Sequence, residues 1–275
     1  VLLFGEYTIL GGGMALSMPC DMYGGHWEQG HTEEQLRPFF DYLKTIDGYD
    51  KEKLNAAIEK RLIFKSTIPL GYGLGSSGAL TAAAFDKFYT DKNLDLPELK
   101  TLLAESENFF HGNSSGLDPL TIYLDQVLVV EGDRIETIPK LELNKQFALI
   151  DSGQTRNTKI LVSYYNEQIQ DPDFSNTIVQ LNLLNEQAID AVTSQDQELK
   201  PIMAQISQLQ FDFFQHMIPD SVRDIWKSGL GSGEYYMKLS GAGGGGYFLV
   251  YGDFSNLENA YSIIPLGTKD CYNPN

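Results

Sequence analysis

Two glycine-dense segments, far apart in the chain, set the tightest limits on how it can fold. Residues 69–79 read PLGYGLGSSGA and residues 238–247 read KLSGAGGGGY. Glycine loses more backbone freedom on folding than any other residue, so a cluster of glycines needs a compensating use. The commonest use is close approach, in which main-chain N–H groups wrap an anion with no Cβ in the way. The run Gly243–Gly246 leads straight into the apolar, strand-like segment Tyr247–Tyr251, which an ordinary turn does not require. Either segment alone is a weak signal; the pair points to a shared phosphate-like ligand.

The 275 residues are enough for one large domain or two modest ones with a sizeable core. An apolar fraction of 42% and an aromatic fraction of 12% are those of a soluble globular chain. No apolar stretch approaches the ~20 residues that cross a bilayer, and no secretory leader opens the sequence, so neither a membrane partner nor secretion is expected. A net charge of −17 comes without any clustered Lys/Arg stripe, which argues against nucleic acid. Phosphates remain accessible to an acidic protein, because helix N-termini and backbone nests are locally positive. Cys20 and Cys271 lack disulfide-framework or metal-ligand spacing and read as ordinary thiols of a reducing cytoplasm.

Periodicity predicts an α+β chain. Strands are expected at Val1–Phe4, Thr8–Leu10, Met14–Met18, Leu62–Ile68, Thr121–Val130, Gln146–Ile150, Tyr235–Leu239, Tyr247–Tyr251 and Ile263–Leu266. Helices are expected at Glu33–Leu43, Asp50–Ile58, Ala79–Tyr89, Glu98–Phe110 and through most of Thr158–Gln215. Within that last stretch Val179, Leu181, Leu183, Leu184, Ala188 and Ala191 mark one apolar face. A boundary near residue 145 divides a domain 1–145 from a domain 146–275.

Gly73, Gly75 and Gly78 satisfy the dinucleotide pattern G-x-G-x-x-G, yet Pro69 interrupts the strand that should run into it. The acidic residues that follow, Asp95 and Glu98, lie at a helix start rather than at the end of a strand. No Lys-Ser or Lys-Thr follows the glycines, which excludes the common P-loop. What remains is a glycine turn opening an Ala-rich helix, with Ser76 and Ser77 at or near its N-cap. Between the two glycine segments, residues 107–119 read ENFFHGNSSGLDP. Phosphoryl transfer to an alcohol needs a carboxylate to orient or accept the hydroxyl proton, and oxygen ligands for Mg²⁺. Asp118, in a glycine-rich turn before a proline, suits the first role and Glu107 the second; the bland alternative for Asp118 is an Asp-Pro turn signal. His111 reads as a turn-capping or core residue, since nothing pairs it with a nucleophile.

Three segments, Gly5–Tyr7 within Val1–Pro19, Pro69–Ala79 and Lys238–Gly245, resemble in order the three motifs of the GHMP kinases. The segment Glu107–Asp118 and the stretch DSGQTRNTK at 151–159 are most similar to the mevalonate-kinase group of that family. The resemblance implies a two-domain fold, with an N-terminal domain like ribosomal protein S5 domain 2, a ferredoxin-like C-terminal domain and an active site in the cleft between them. It further implies that Gly71, Gly73, Leu74, Gly75, Ser76 and Ser77 bind ATP phosphates, that Ser77 and Glu107 hold Mg²⁺, and that Asp118 is the catalytic carboxylate. Glu6, Thr158, Gly241, Ala242 and Gly243 would support the substrate or the site. The family's lysine would fall immediately before Val1, and the segment 23–35 is short for the loop that frames adenine.

The implied activity is ATP-dependent phosphorylation of a small alcohol, mevalonate in first place, in cytoplasmic isoprenoid precursor synthesis. Tyr7 and Gly78 stand where mevalonate kinases commonly carry His and Ala, as is familiar in phosphomevalonate kinases. Phosphomevalonate kinase or another GHMP kinase therefore stays open, with Arg156 and Lys159 as candidates for an extra phosphate. So do a non-catalytic nucleotide-binding homologue and a homodimer.

Overall fold

Strand β1 (Leu2–Phe4) is followed by a 3₁₀ turn (Thr8–Gly11), then β2 (Ala15–Ser17), β3 (Gly25–Gln29), α1 (Arg37–Leu43), α2 (Lys51–Glu59) and β4 (Leu62–Ser66). Next come α3 (Ser76–Phe88), α4 (Leu96–His111), α5 (Leu117–Leu124), β5 (Val127–Glu131), β6 (Arg134–Ile138) and β7 (Phe147–Asp151). The chain continues through α6 (Thr158–Gln168), α7 (Pro172–Ser194), α8 (Leu199–Phe213), α9 (Asp220–Ser232), β8 (Tyr235–Leu239), β9 (Tyr247–Gly252) and β10 (Ile263–Pro265). The computed structural model describes residues 1–30, 36–112, 114–138, 141, 143, 146–194 and 198–267. Cys271, residues 33–35 of the first expected helix and the side chain of His111 lie outside that description.

The chain forms two units. One comprises Val1–Cys20, Leu70–Leu74 and Val127–Asn275; the other comprises Asp21–Pro69 and Gly75–Gln126. The expected second domain, from residue 146 on, lies wholly within the first unit, while residues 1–145 contribute to both.

The first unit holds two antiparallel four-stranded sheets. One has the order β1-β2-β5-β6, with Ala15 opposite Val130 and Val129 opposite Glu136. The other has the order β10-β7-β9-β8. Numbered within their own segment, those four strands run 4-1-3-2, the order of a ferredoxin-like sheet. Phe147–Ile150 and Phe248–Val250 fill its interior, and α8 and α9 pack against β8. Trp226 of α9 is fully buried, and its indole N–H donates to Ser207 Oγ of α8 at 2.9 Å.

The second unit packs α1 to α5 with the two-stranded sheet β3-β4. Its core is aromatic: Phe39, Phe40, Tyr49 and Phe88 are buried, and the Trp27 ring meets Phe40, Phe64 and Phe88. Helix α4 starts at a complete capping box, in which Asp95 accepts from Glu98 N–H and Glu98 accepts from Asp95 N–H. Helix α2 is capped by Asp50, which accepts from Glu52 and Lys53.

Several expectations are corrected. Thr8–Leu10 is a 3₁₀ turn, because Tyr7 at φ 64° turns the chain before a strand can form. The segment Thr121–Val130 divides into the end of α5 and strand β5, separated by Asp125 in the left-handed region. Asp118 therefore sits in the first turn of a helix rather than in a loop. On α7, Val179 and Leu183 are 60% and 53% exposed, so the buried face is carried by Leu181, Leu184, Ala188 and Ala191. Strands β3 and β6 and helix α9 were not foreseen.

Candidate active site

Within the second unit, three helix ends converge. Gly75, at φ 70°, is the N-cap of α3, and the first helical hydrogen bond runs from Ala79 N–H to Gly75 C=O. The opening turn thus presents its amides and the positive end of the helix dipole at Ser76 and Ser77. Ser77 Oγ donates to Glu107 Oε1 at 2.8 Å, tying α3 to the last turn of α4. Ser114 Oγ donates to the other carboxylate oxygen, Oε2, at 2.5 Å. Glu107 is only 4% exposed. Burial, and then the neighbouring charge of Asp118, push its carboxyl up to about 7, against the two serine hydrogen bonds that favour the ionised form.

Asp118 arrives from the third helix. A Cβ built on Gly75 would lie 3.5 Å from both Cβ and Cγ of Asp118, and one built on Gly78 would lie 3.0 Å from Asp118 Cβ and Pro119 N. Glycine at position 78 therefore lets α3 and α5 close up and brings the Asp118 carboxyl beside the start of α3. Gly75, Ser76, Ser77, Glu107 and Asp118, all expected from the sequence, form one group; Ser114 is an addition that sequence reasoning missed.

Within the first unit, the remaining site residues assemble around Arg156. Its backbone N–H donates to Gly71 C=O at 2.9 Å, and its Nη1 donates to Ser240 C=O at 2.7 Å. A Cβ on Gly73 would fall 2.3 Å from the Arg156 guanidinium, and one on Gly241 would fall 2.8 Å from it. The arginine side chain thus occupies space that only glycines leave free, and it brings Gly71 and Gly73 of the first glycine loop beside Ser240 and Gly241 of the second. Leu74 closes this part of the first loop and is buried.

The second loop is fixed from the N-terminal strand as well. Lys238 and Glu6 form a fully buried ion pair, Nζ to Oε1 at 2.5 Å, with Nζ also donating to Leu239 C=O at 2.8 Å. Burial raises the Glu6 carboxyl and lowers the Lys238 ammonium, while their mutual attraction opposes both shifts. Next in sequence, Tyr7 donates through its hydroxyl to Ala242 C=O at 2.7 Å and stacks on Tyr165 of α6 at 4.7 Å. Gly243 approaches the Met217 carbonyl, 2.7 Å from where its Cβ would stand. Thr158 opens α6 directly after the N-cap Asn157, whose side chain accepts from Ile160 N–H at 3.4 Å. The sequence singled out Glu6 without its partner, and pairing across 232 positions has no local signal.

These residues fit a nucleotide and a hard cation. Gly71 and Gly73 of the first unit and Gly75 of the second all have positive φ, a conformation that glycine adopts without a Cβ penalty. Ser77 and Glu107 offer two oxygen donors. Among the described residues no group of three or more His, Cys, Asp or Glu could hold a metal alone. Mg²⁺ in general binds one or two carboxylates and takes its other ligands from phosphates and water.

Comparison with known proteins agrees with this reading. The mevalonate kinase of Pyrococcus horikoshii is 28% identical, over 98% of this chain and 92% of its own. Among solved structures, Methanococcus jannaschii mevalonate kinase superposes with a TM-score of 0.65 at 18% identity, covering 97% of this chain and 96% of its own. Streptococcus pneumoniae phosphomevalonate kinase superposes at 0.66 with 14% identity, over 94% and 90%. The two structures share the fold equally well, so the fold does not choose between their acceptors. Residues 42–126, which carry the first glycine loop, Glu107 and Asp118, match the family model for the GHMP kinases N terminal domain.

Proposed function

We propose that this chain is an ATP-dependent kinase that phosphorylates the primary alcohol of mevalonate. The observation that carries the catalytic part is the Asp118 carboxyl lying against Gly75, at the amide-rich start of α3, with Glu107 and Ser77 beside it. The acceptor rests on likeness to the archaeal mevalonate kinases along nearly the whole chain.

In this reading the amides that open α3, at Gly75–Ser77, would hold nucleotide phosphate, and Glu107 with Ser77 would hold Mg²⁺. The metal, when bound, neutralises charge on the phosphate oxygens. Asp118 orients the acceptor hydroxyl and takes its proton as that oxygen bonds to the terminal phosphorus and ADP leaves. Glu6, through Lys238, keeps the second glycine loop in place, and Arg156 fastens that loop to the first. Gly241, Ala242, Gly243 and Thr158, like Glu6, would support the substrate or the site. Catalysis is then chiefly positioning and charge stabilisation. The acceptor is a small alcohol, and the same reading puts the enzyme in the cytoplasm; among the described residues no helix is long and apolar enough to cross a membrane.

A coupled assay of ADP release tests the proposal with mevalonate, phosphomevalonate, galactose or no acceptor. Turnover with mevalonate alone is expected. Turnover with phosphomevalonate in its place would reassign the acceptor, and silence with every alcohol would defeat the kinase reading.

A further inference from the structure

We propose that Ser114 is a positioning residue whose single hydroxyl orients the Glu107 carboxylate and anchors the start of the helix bearing Asp118. It lies between α4 and α5. Its backbone N–H donates to Asn108 Oδ1 at 2.8 Å, which fixes it to the residue following Glu107. Its hydroxyl then does two things at once. It donates to Glu107 Oε2 at 2.5 Å and accepts from Gly116 N–H at 3.0 Å. Gly116 is the N-cap of α5, two residues before Asp118.

A serine that merely closed the turn would need only the Gly116 contact. Here its one proton is spent on a carboxylate that is 4% exposed, and this leaves Oε1 as the oxygen facing Ser77. Gly116 itself packs closely on α4, where a Cβ would lie 2.4 Å from Lys100 C=O and 3.0 Å from Ala104 Cβ. The hydroxyl therefore has its donor direction assigned to α4 and its acceptor direction to the start of α5, the two carboxylate-bearing helices. Hydrogen bonds to a metal-binding carboxylate from such outer partners typically govern metal affinity by about 10–100-fold.

The inference rests on the reading of Glu107 as a metal ligand, and the experiment separates the two. Mn²⁺ is titrated by water-proton relaxation into the full chain saturated with a non-hydrolysable ATP analogue, for wild type, Ser114→Ala, Ser114→Thr and Glu107→Gln. Ser114→Ala is expected to bind Mn²⁺ about 10-fold more weakly, and Ser114→Thr, which keeps the hydroxyl, to bind as wild type does. Affinity for the analogue without metal should not change. If Glu107→Gln weakens Mn²⁺ binding and Ser114→Ala does not, the role of Ser114 is overturned while Glu107 stands. A Ser114→Thr variant as weak as Ser114→Ala would likewise overturn it, since packing rather than the hydroxyl would then matter. If Glu107→Gln binds Mn²⁺ as wild type does, the metal-ligand reading itself fails. Should Ser114→Ala not fold, Ser114→Cys, whose thiol is a weak donor, is measured with the same expectation.

Discussion

The buried Glu107 should impose a pH dependence on stability that a single substitution erases. In the unfolded chain its carboxyl ionises at the ordinary value of 4.5, and in the folded protein it holds its proton up to about 7. Between those values the native state binds more protons than the unfolded state, so stability falls as pH rises; below 4.5 and above about 7 this group adds no slope. Each pH unit of separation is worth roughly 1.4 kcal/mol, which gives about 3 kcal/mol in all. Discounting for solvent is small, because the side chain is almost completely enclosed. The assay is urea unfolding in EDTA at pH steps from 4 to 8, comparing wild type with Glu107→Gln. Trp226→Phe in both makes Trp27, in the same unit as Glu107, the fluorescent reporter. The difference in stability should fall by about 3 kcal/mol across the window, and adding Asp118→Asn to the wild type should shrink it, since Asp118 supplies part of the shift. A difference that stays flat, or rises with pH, would refute the buried, proton-retaining carboxylate.

Two further outcomes are expected. Asp118→Ala should leave ATP binding nearly intact and lower turnover by ~10²-fold or more, measured by ADP release beside nucleotide titration; an unchanged rate would remove Asp118 from the proton-accepting role. Lys238→Met should cost about 3–5 kcal/mol in urea unfolding by leaving Glu6 buried without its partner, and the double variant Glu6→Leu/Lys238→Met should recover most of that loss. A single variant as stable as wild type would contradict the pairing.

Much of the candidate site was legible because glycine turns mark where the main chain closes up. Ser76, Ser77, Glu107 and Asp118 stand at short offsets from glycine turns, and the structure puts them together. Their local setting was harder to read. The apolar run through Thr121–Val130 has no period that separates a buried helix from a strand, and the chain uses it for part of each. Helix α9 escaped notice because Gly229 and Gly231 count against a helix in the sequence. Gly229 is required there by tertiary packing, since a Cβ would stand 2.5 Å from the Tyr235 ring. Strand β3 has mostly exposed or half-exposed side chains, so no alternating apolar pattern announces it. Ser114 carried a faint signal, lying four residues before Asp118 in the turn that precedes it. The pairing of Glu6 with Lys238 carried none, because only the folded chain brings the turn after β1 within reach of β8.

The second glycine loop has one more consequence. Gly244 N–H is held by Met217 C=O and Gly246 N–H by Gln154 C=O, each at 2.6 Å. Ordering a residue's backbone costs about 1–2 kcal/mol, and here that cost falls at the time of folding. A molecule arriving later meets a surface already set, and spends little of its own affinity on arranging it. The composition that looks most pliable on paper thus belongs to a stiff part of the protein.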